Sequence, residues 1–217
     1  MTFDIYQLDG LELDDFEQVL EEYQDNLLEL FFKSREGQAH LEKHPEAGFW
    51  SGQLMYYGYG YLGVALPQMT KGDVEEVVTE LFPRKISLLS PEDANDAIPE
   101  LMAFWQYLKR EYNLRQANAV LRFLQEVSPD FGSMMNNPSK FGMAKSFMMM
   151  GQTAGFDMTD EEDIEAFMHY YNANLATQGN ISVPLETSGA STGRETKRKR
   201  KRKRKAVKAA RKRSRRR

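Results

Sequence analysis

Seventeen of the chain's 29 basic residues fall within its last 24 positions, and this decides which part of it can build a core. From Arg194 to Arg217 there are 17 Lys or Arg against one acid, Glu195, a net of +16. Residues 1–193 keep 12 basic and 31 acidic residues, a net of −19. The overall formal charge of −3 averages two poles of opposite sign. In the run Lys197-Arg198-Lys199-Arg200-Lys201-Arg202-Lys203-Arg204-Lys205 like charges repel and no apolar face offers itself for burial, so this end is expected to stay disordered. Any compact domain must come from the acidic remainder of the 217 residues, which is long enough for one hydrophobic core of ordinary size.

That remainder reads as all-α: a single helical domain of six to eight helices, followed by the disordered basic C-terminal tail. The strongest element runs from about Asp14 to Lys33. Phe16, Val19, Leu20, Tyr23, Leu27, Leu30 and Phe31 form an apolar stripe at helical spacing. Asp14, Asp15, Glu17, Glu21, Glu22 and Asp25 line the other side, and those in the first turns suit the helix dipole. A shorter helix is predicted over Gln38 to Lys43, stopped by Pro45. Thr70 with Asp73 reads as a capping box before Val74 to Phe82. Ser90-Pro91-Glu92-Asp93 supplies an N-cap, a first-turn proline and acids ahead of a helix from Pro99 to about Glu111. Arg115 to Val127 is another helix. Asn137-Pro138 is expected to cap one through Met150, and Thr159 with Glu162 the last, to about Asn174. Only Phe3 to Leu8 and Lys85 to Leu89 look locally extended. Gly, Ser, Thr and Asn dominate Gln178 to Thr196, as in a flexible linker. The expected organisation is therefore an acidic helical domain over 1–177, a linker over 178–196 and a polycationic tail over 197–217.

Several function classes fall away. There is no cysteine, which removes disulfides, thiol catalysis and Cys-ligated metals. Met1-Thr2-Phe3-Asp4 lacks the basic and apolar regions of a signal peptide. Ala47 to Met69 is uncharged and long enough to span a bilayer. It also holds five glycines, four tyrosines and Pro67, with Trp50, Leu54, Tyr57, Tyr61 and Val64 at helical spacing. That pattern suits a helix buried in protein, so no membrane span is expected. His40 and His44, with Glu42 and Glu46 nearby, could share a helix face as zinc ligands do. The order of residues is not that of a zinc protease, and Pro45 draws His44 out of helical geometry, so no metal and no cofactor is expected. His169, beside Tyr170 and Tyr171, reads as a half-buried packing residue. Adjacent acids such as Glu21-Glu22, Glu75-Glu76 and Glu161-Glu162 read as helix N-termini and solvated faces rather than a catalytic pair. Gly58, Gly60 and Gly63 form no phosphate loop and are expected to permit close packing or a helix break. No catalytic constellation stands out, and the expectation is a protein that is not an enzyme.

The tail carries the functional expectation. Its candidate binding residues are Lys197, Arg198, Lys199, Arg200, Lys201, Arg202, Lys203, Arg204, Lys205, Lys208, Arg211, Lys212, Arg213, Arg215, Arg216 and Arg217. On a phosphate backbone these charges displace condensed counterions, which gives affinity without sequence preference. The arginines add bidentate phosphate contacts. Ala206 to Arg213 is composed of good helix formers and could become helical on binding. No aromatic residue is present for base stacking. The expected partner is nucleic acid, DNA or RNA, with the acidic domain serving protein interaction. The alternative is an adaptor or regulator whose tail binds an acidic protein partner or folds back on its own acidic body. A homo-oligomer is a further option. Seven of the 12 methionines lie in Asp130 to Met158, as an irregular core or as a protein-binding groove.

Residues 70–108 carry a resemblance. Val74, Val77 and Val78 are followed by Leu81-Phe82-Pro83-Arg84-Lys85-Ile86, then Ile98-Pro99-Glu100-Leu101 and Phe104-Trp105. The segment resembles a helical module that recurs in uncharacterised bacterial proteins, with a Pro-Arg-Lys turn and a helix opened by Pro-Glu. The resemblance implies no activity. It favours a bacterial, cytoplasmic protein over a nuclear one; association with nucleoid or ribosome is a further option. In a eukaryotic cell the tail would also read as a nuclear-localisation signal. Arg84 and Lys85 read as an exposed helix stop, or as an anchor for a phosphate or for the acidic body.

Overall fold

The apolar stripe predicted from Asp14 folds as α1, Phe16–Lys33, in a computed structural model that describes residues 3–9, 16–88 and 90–177. These residues are all-α, eight helices with no strand among them. The predicted linker and tail lie outside the described residues. Leu20, Tyr23, Leu27 and Phe31 of α1 are at most 1 % exposed. Val19 and Leu30, counted into the same stripe, remain 36 % and 37 % exposed. The sequence stripe is thus wider than the face that the fold covers. Phe3 to Leu8 is not extended. Gln7 N–H donates to the Asp4 carbonyl at 3.1 Å and Asp9 N–H to that of Tyr6 at 2.8 Å, so the segment coils into turns. It buries Ile5 and Leu8, and Tyr23 donates its hydroxyl to the Ile5 carbonyl at 3.0 Å.

Ser34 turns the chain into α2, Arg35–Leu41, by accepting from Gly37 N–H at 3.1 Å. The helix begins earlier than Gln38 because this cap is available. Trp50, Leu54 and Tyr57 are buried in α3, Phe49–Tyr57, which widens into a π turn, Gly58–Leu62, and ends at Gly63 with φ of 70°. Met69 lies against Gly58, where a Cβ would stand 2.3 Å from the Met69 methyl. No helix among the described residues is long and apolar enough to cross a membrane.

The Thr70–Asp73 capping box forms as predicted and opens α4, made of Lys71–Glu76, a π turn at Val77–Leu81, and Phe82–Lys85. Pro83 has no N–H for the carbonyl of Thr79 four residues back. The preceding turn is wider there, and the Lys140 ammonium donates to that carbonyl instead at 3.1 Å. Lys85 therefore ends a helix, and the expected extended backbone begins only at Ile86. The Ser90–Asp93 box also forms, at the head of a 3-10 turn, Pro91–Asp96, that runs directly into α5, Ala97–Tyr112. Leu101, Phe104, Trp105 and Leu108 make α5 the centre of the core, packed against α2 and against α6, Ala117–Met135. The predicted end of α6 at Val127 is eight residues short. Burial of Phe131 and Met135 carries the helix on through Pro129.

The last two helices form a hairpin with its own small core. Asn137 caps only a 3-10 turn, Pro138–Lys140; α7, Met143–Thr153, starts after Gly142, whose N–H donates to the Arg84 carbonyl at 3.1 Å. The cap of α8, Glu161–Thr177, is Asp160, which accepts from Glu162 and Asp163 N–H groups at 3.0 and 3.1 Å. Thr159, the predicted cap, has its hydroxyl on Asp157 at 2.6 Å. Phe147 meets Phe167 at 4.8 Å and Tyr171 at 5.8 Å, and Met158 is buried beside Gly151.

Candidate functional site

The sixteen tail residues predicted to bind nucleic acid lie outside the described residues, so what bears on them is the surface of the body. Five of its 12 cations pair with carboxylates. Lys33 pairs with Glu29, Lys71 with Glu75 at 2.8 Å, and Lys140 with Glu80 at 3.1 Å. Arg110 holds Glu36 through Nε and Nη2 at 2.8 and 3.1 Å, and Arg35 joins the same carboxylate at 2.9 Å. These hydrogen bonds, Arg110's first, pull the Glu36 carboxyl down to about 2, against the lesser opposing effect of its burial. Arg84 and Lys85 are exposed, with the Lys85 ammonium 5.4 Å above the Tyr61 ring. Lys43, Lys109, Arg115 and Arg122 are exposed as well, with no ion pair among the described residues.

His40 and His44 do share a side of the structure. Their rings stack at 4.6 Å, and His44 Nδ1 lies 2.8 Å from an Asp96 oxygen. His40 is 7 % exposed and its Nε2 has no partner. Burial, and next the neighbouring His44, lower its pKa. No group of three or more metal-ligating side chains occurs among the described residues. His169, predicted to be half-buried, is exposed, because α8 presents Phe167 rather than His169 to α7.

The methionine-rich segment is only partly core. Met135 and Met158 are core residues, while Met143 and Met150 are 72 % and 42 % exposed. Two charged residues in the interior escaped the sequence reading. Glu100, 1 % exposed, accepts from Gly48 N–H at 2.9 Å and Ser51 N–H at 2.6 Å. Lys145, 5 % exposed, donates to the carbonyls of Pro83 at 3.1 Å and Met135 at 2.9 Å, with its ammonium 4.1 Å from the Phe141 ring. The helical period does place Glu100 between Ala97 and Phe104 on the buried face of α5, a signal that the Pro-Glu opening obscured.

A shallow groove crosses α2, α5 and α6. One part, about 690 Å³, lies between the histidine side of α2 and Ile98, Pro99 and Met102 of α5. The other, about 550 Å³, lies between Met102 and Leu121 and reaches Arg122 and Gln125 of α6. Met102 and Gln106 line both parts. Comparison with models of known protein families, with curated proteins and with solved structures returned no match, so the resemblance of residues 70–108 gains no support from them.

Proposed function

We propose that this chain is a non-enzymatic, nucleic-acid-associated protein of the cytoplasm. It binds DNA or RNA without sequence preference through Lys197 to Arg217 and offers its acidic helical body to a protein partner. One observation carries the reading: the chain segregates its charge into a +16 end and a −19 body. Carboxylates engage Lys33, Arg35, Lys71, Arg110 and Lys140, and Lys145 is buried. Among the described residues the body thus keeps six exposed cations without an ion pair, against 17 in the last 24 residues of the chain, which supports the reading. A tail that neutralises about eight phosphates gives a log–log salt slope near −7 on duplex DNA. Removal of Arg194–Arg217 abolishes binding on this reading. Affinity retained by the shortened chain would move the site to the body and sink it.

The second reading, a tail that lies on acidic protein surface, draws on the exposed acids Glu17, Glu21, Glu22, Asp25 and Glu29 of α1. Purification without high salt, followed by nuclease treatment, separates the two. Nucleic acid that co-purifies until digested supports the first reading.

A further inference from the structure

The outer flank of α1 and the groove across α2, α5 and α6 are complementary in charge and in apolar character. We propose that the groove receives α1 of a second copy of this chain, so that two bodies pair and present two tails. Val19 and Leu30 are eleven residues apart, about three helical turns, and so lie on one flank of α1. Both belong to the apolar stripe, and both are left more than a third exposed. Glu22, Asn26 and Glu29, all exposed, lie on the same flank. Single apolar side chains at a surface need no explanation. Two in register on an acidic helix edge form a strip with a definite complement.

The groove has that complement. Half-buried Met102 and Leu121 lie between Lys43 and Arg122, both exposed cations with no ion-pair partner among the described residues. The acid that lines it, Glu36, is already held by Arg110 and Arg35. The net charge of −19 opposes association at long range, but at physiological salt charges separated by more than about 8 Å are largely screened. Contacts of Glu22, and of Glu29 in exchange for its exposed pair with Lys33, with Lys43 and Arg122 therefore decide the sign locally. Strip and groove belong to the same chain, so two copies can exchange them across a two-fold axis. Two tails on one particle then bind a polyanion with the gain that effective concentration gives.

The test is light scattering on the nuclease-treated full chain in about 0.5 M salt, where tail contacts are weakened. The expected result is a concentration-dependent dimer. Lys43→Glu with Arg122→Glu, and separately Glu22→Lys with Glu29→Lys, each raise the dissociation constant by about tenfold or more. All four positions are exposed, so unchanged thermal unfolding of the monomer confirms that each variant folds. An equimolar mixture of the two variants recovers the dimer. A single-chain mass up to about 100 μM overturns the proposal, as does a dimer that neither variant weakens. So does a monomer whose Met102 methyl signal moves with an acidic helical peptide, which gives the groove to another protein. The pairing rests on the proposed function only for its consequence. A monomer that binds nucleic acid sinks the pairing alone, and a dimer that does not bind sinks the function alone.

Discussion

Glu100 follows Pro99 in the first turn of α5, where an acid ordinarily serves the dipole of its own helix. Its carboxylate instead reaches α3 and accepts from the N–H groups of Gly48 and Ser51. That helix begins at a Gly48 with φ of 114° and has no side-chain cap of its own. Glu100 is therefore the cap, supplied from another element. Glu100→Ala strands one buried and one half-buried donor and should cost about 3 kcal/mol, whereas Glu100→Gln keeps one acceptor and should cost about 1 kcal/mol. Urea unfolding of both variants measures the difference, and equal losses would mean that the hydrogen bonds are not what the side chain contributes. Lys145 is the opposite case, a cation closing off two carbonyls near the ends of α4 and α6 that have no helical partner. Burial pushes its pKa down to about 8 from an ordinary 10.5. Between those values the unfolded chain holds a proton that the folded chain gives up, so stability rises with pH through that window. Denaturant titrations from about pH 8 to 9.5 should show this rise in the parent protein and its loss in Lys145→Met.

At the level of elements, the structures legible in the sequence are those built by neighbours in the chain. The α1 stripe and the Thr70 and Ser90 boxes need only residues three or four apart. The elements misread depend on distant groups. Phe131 and Met135 find burial that prolongs α6, and the Arg84 carbonyl draws Gly142 N–H ahead of α7. The α1–α2 corner shows how little room such joints leave. A Cβ on Gly37 would stand 2.0 Å from the Phe31 carbonyl oxygen, a backbone atom that cannot step aside. Gly37→Ala should therefore cost about 3 kcal/mol, read as a lowered thermal midpoint with helical circular dichroism retained. The Glu36–Arg110 pair then fastens α2 to α5. Because its folded pKa is depressed to about 2, Glu36 contributes stability fully above its ordinary 4.5 and loses it as pH falls toward 2. Arg110→Met should flatten that acid limb. His40, lowered by burial, adds a loss that begins nearer neutrality, as the unfolded imidazole takes a proton that the folded one resists.

For the molecule as a whole, the segregation of charge was legible because charge density needs no neighbours to be recognised. The groove, Glu100 and Lys145 were not, since their partners come from separate helices, 49 to 62 residues away for the hydrogen bonds of Ser51 and Pro83. The two poles also respond to salt in opposite ways. A body of net −19 repels itself, so added salt should raise its thermal midpoint, while the same salt should weaken the hold on a polyanion that we propose for the tail. The sign of the first effect in the full chain reports where the tail rests. If it rests on the acids of α1, it already relieves the repulsion, and removing Arg194–Arg217 should lower the midpoint at about 0.02 M salt. At about 0.5 M that difference should vanish, because both effects are screened. If the tail is turned outward toward nucleic acid, the full and shortened chains should melt together at both salts. Paired melting curves at the two ionic strengths thus separate the intramolecular clamp from the nucleic-acid anchor without any ligand, and equal midpoints at low salt would exclude the clamp.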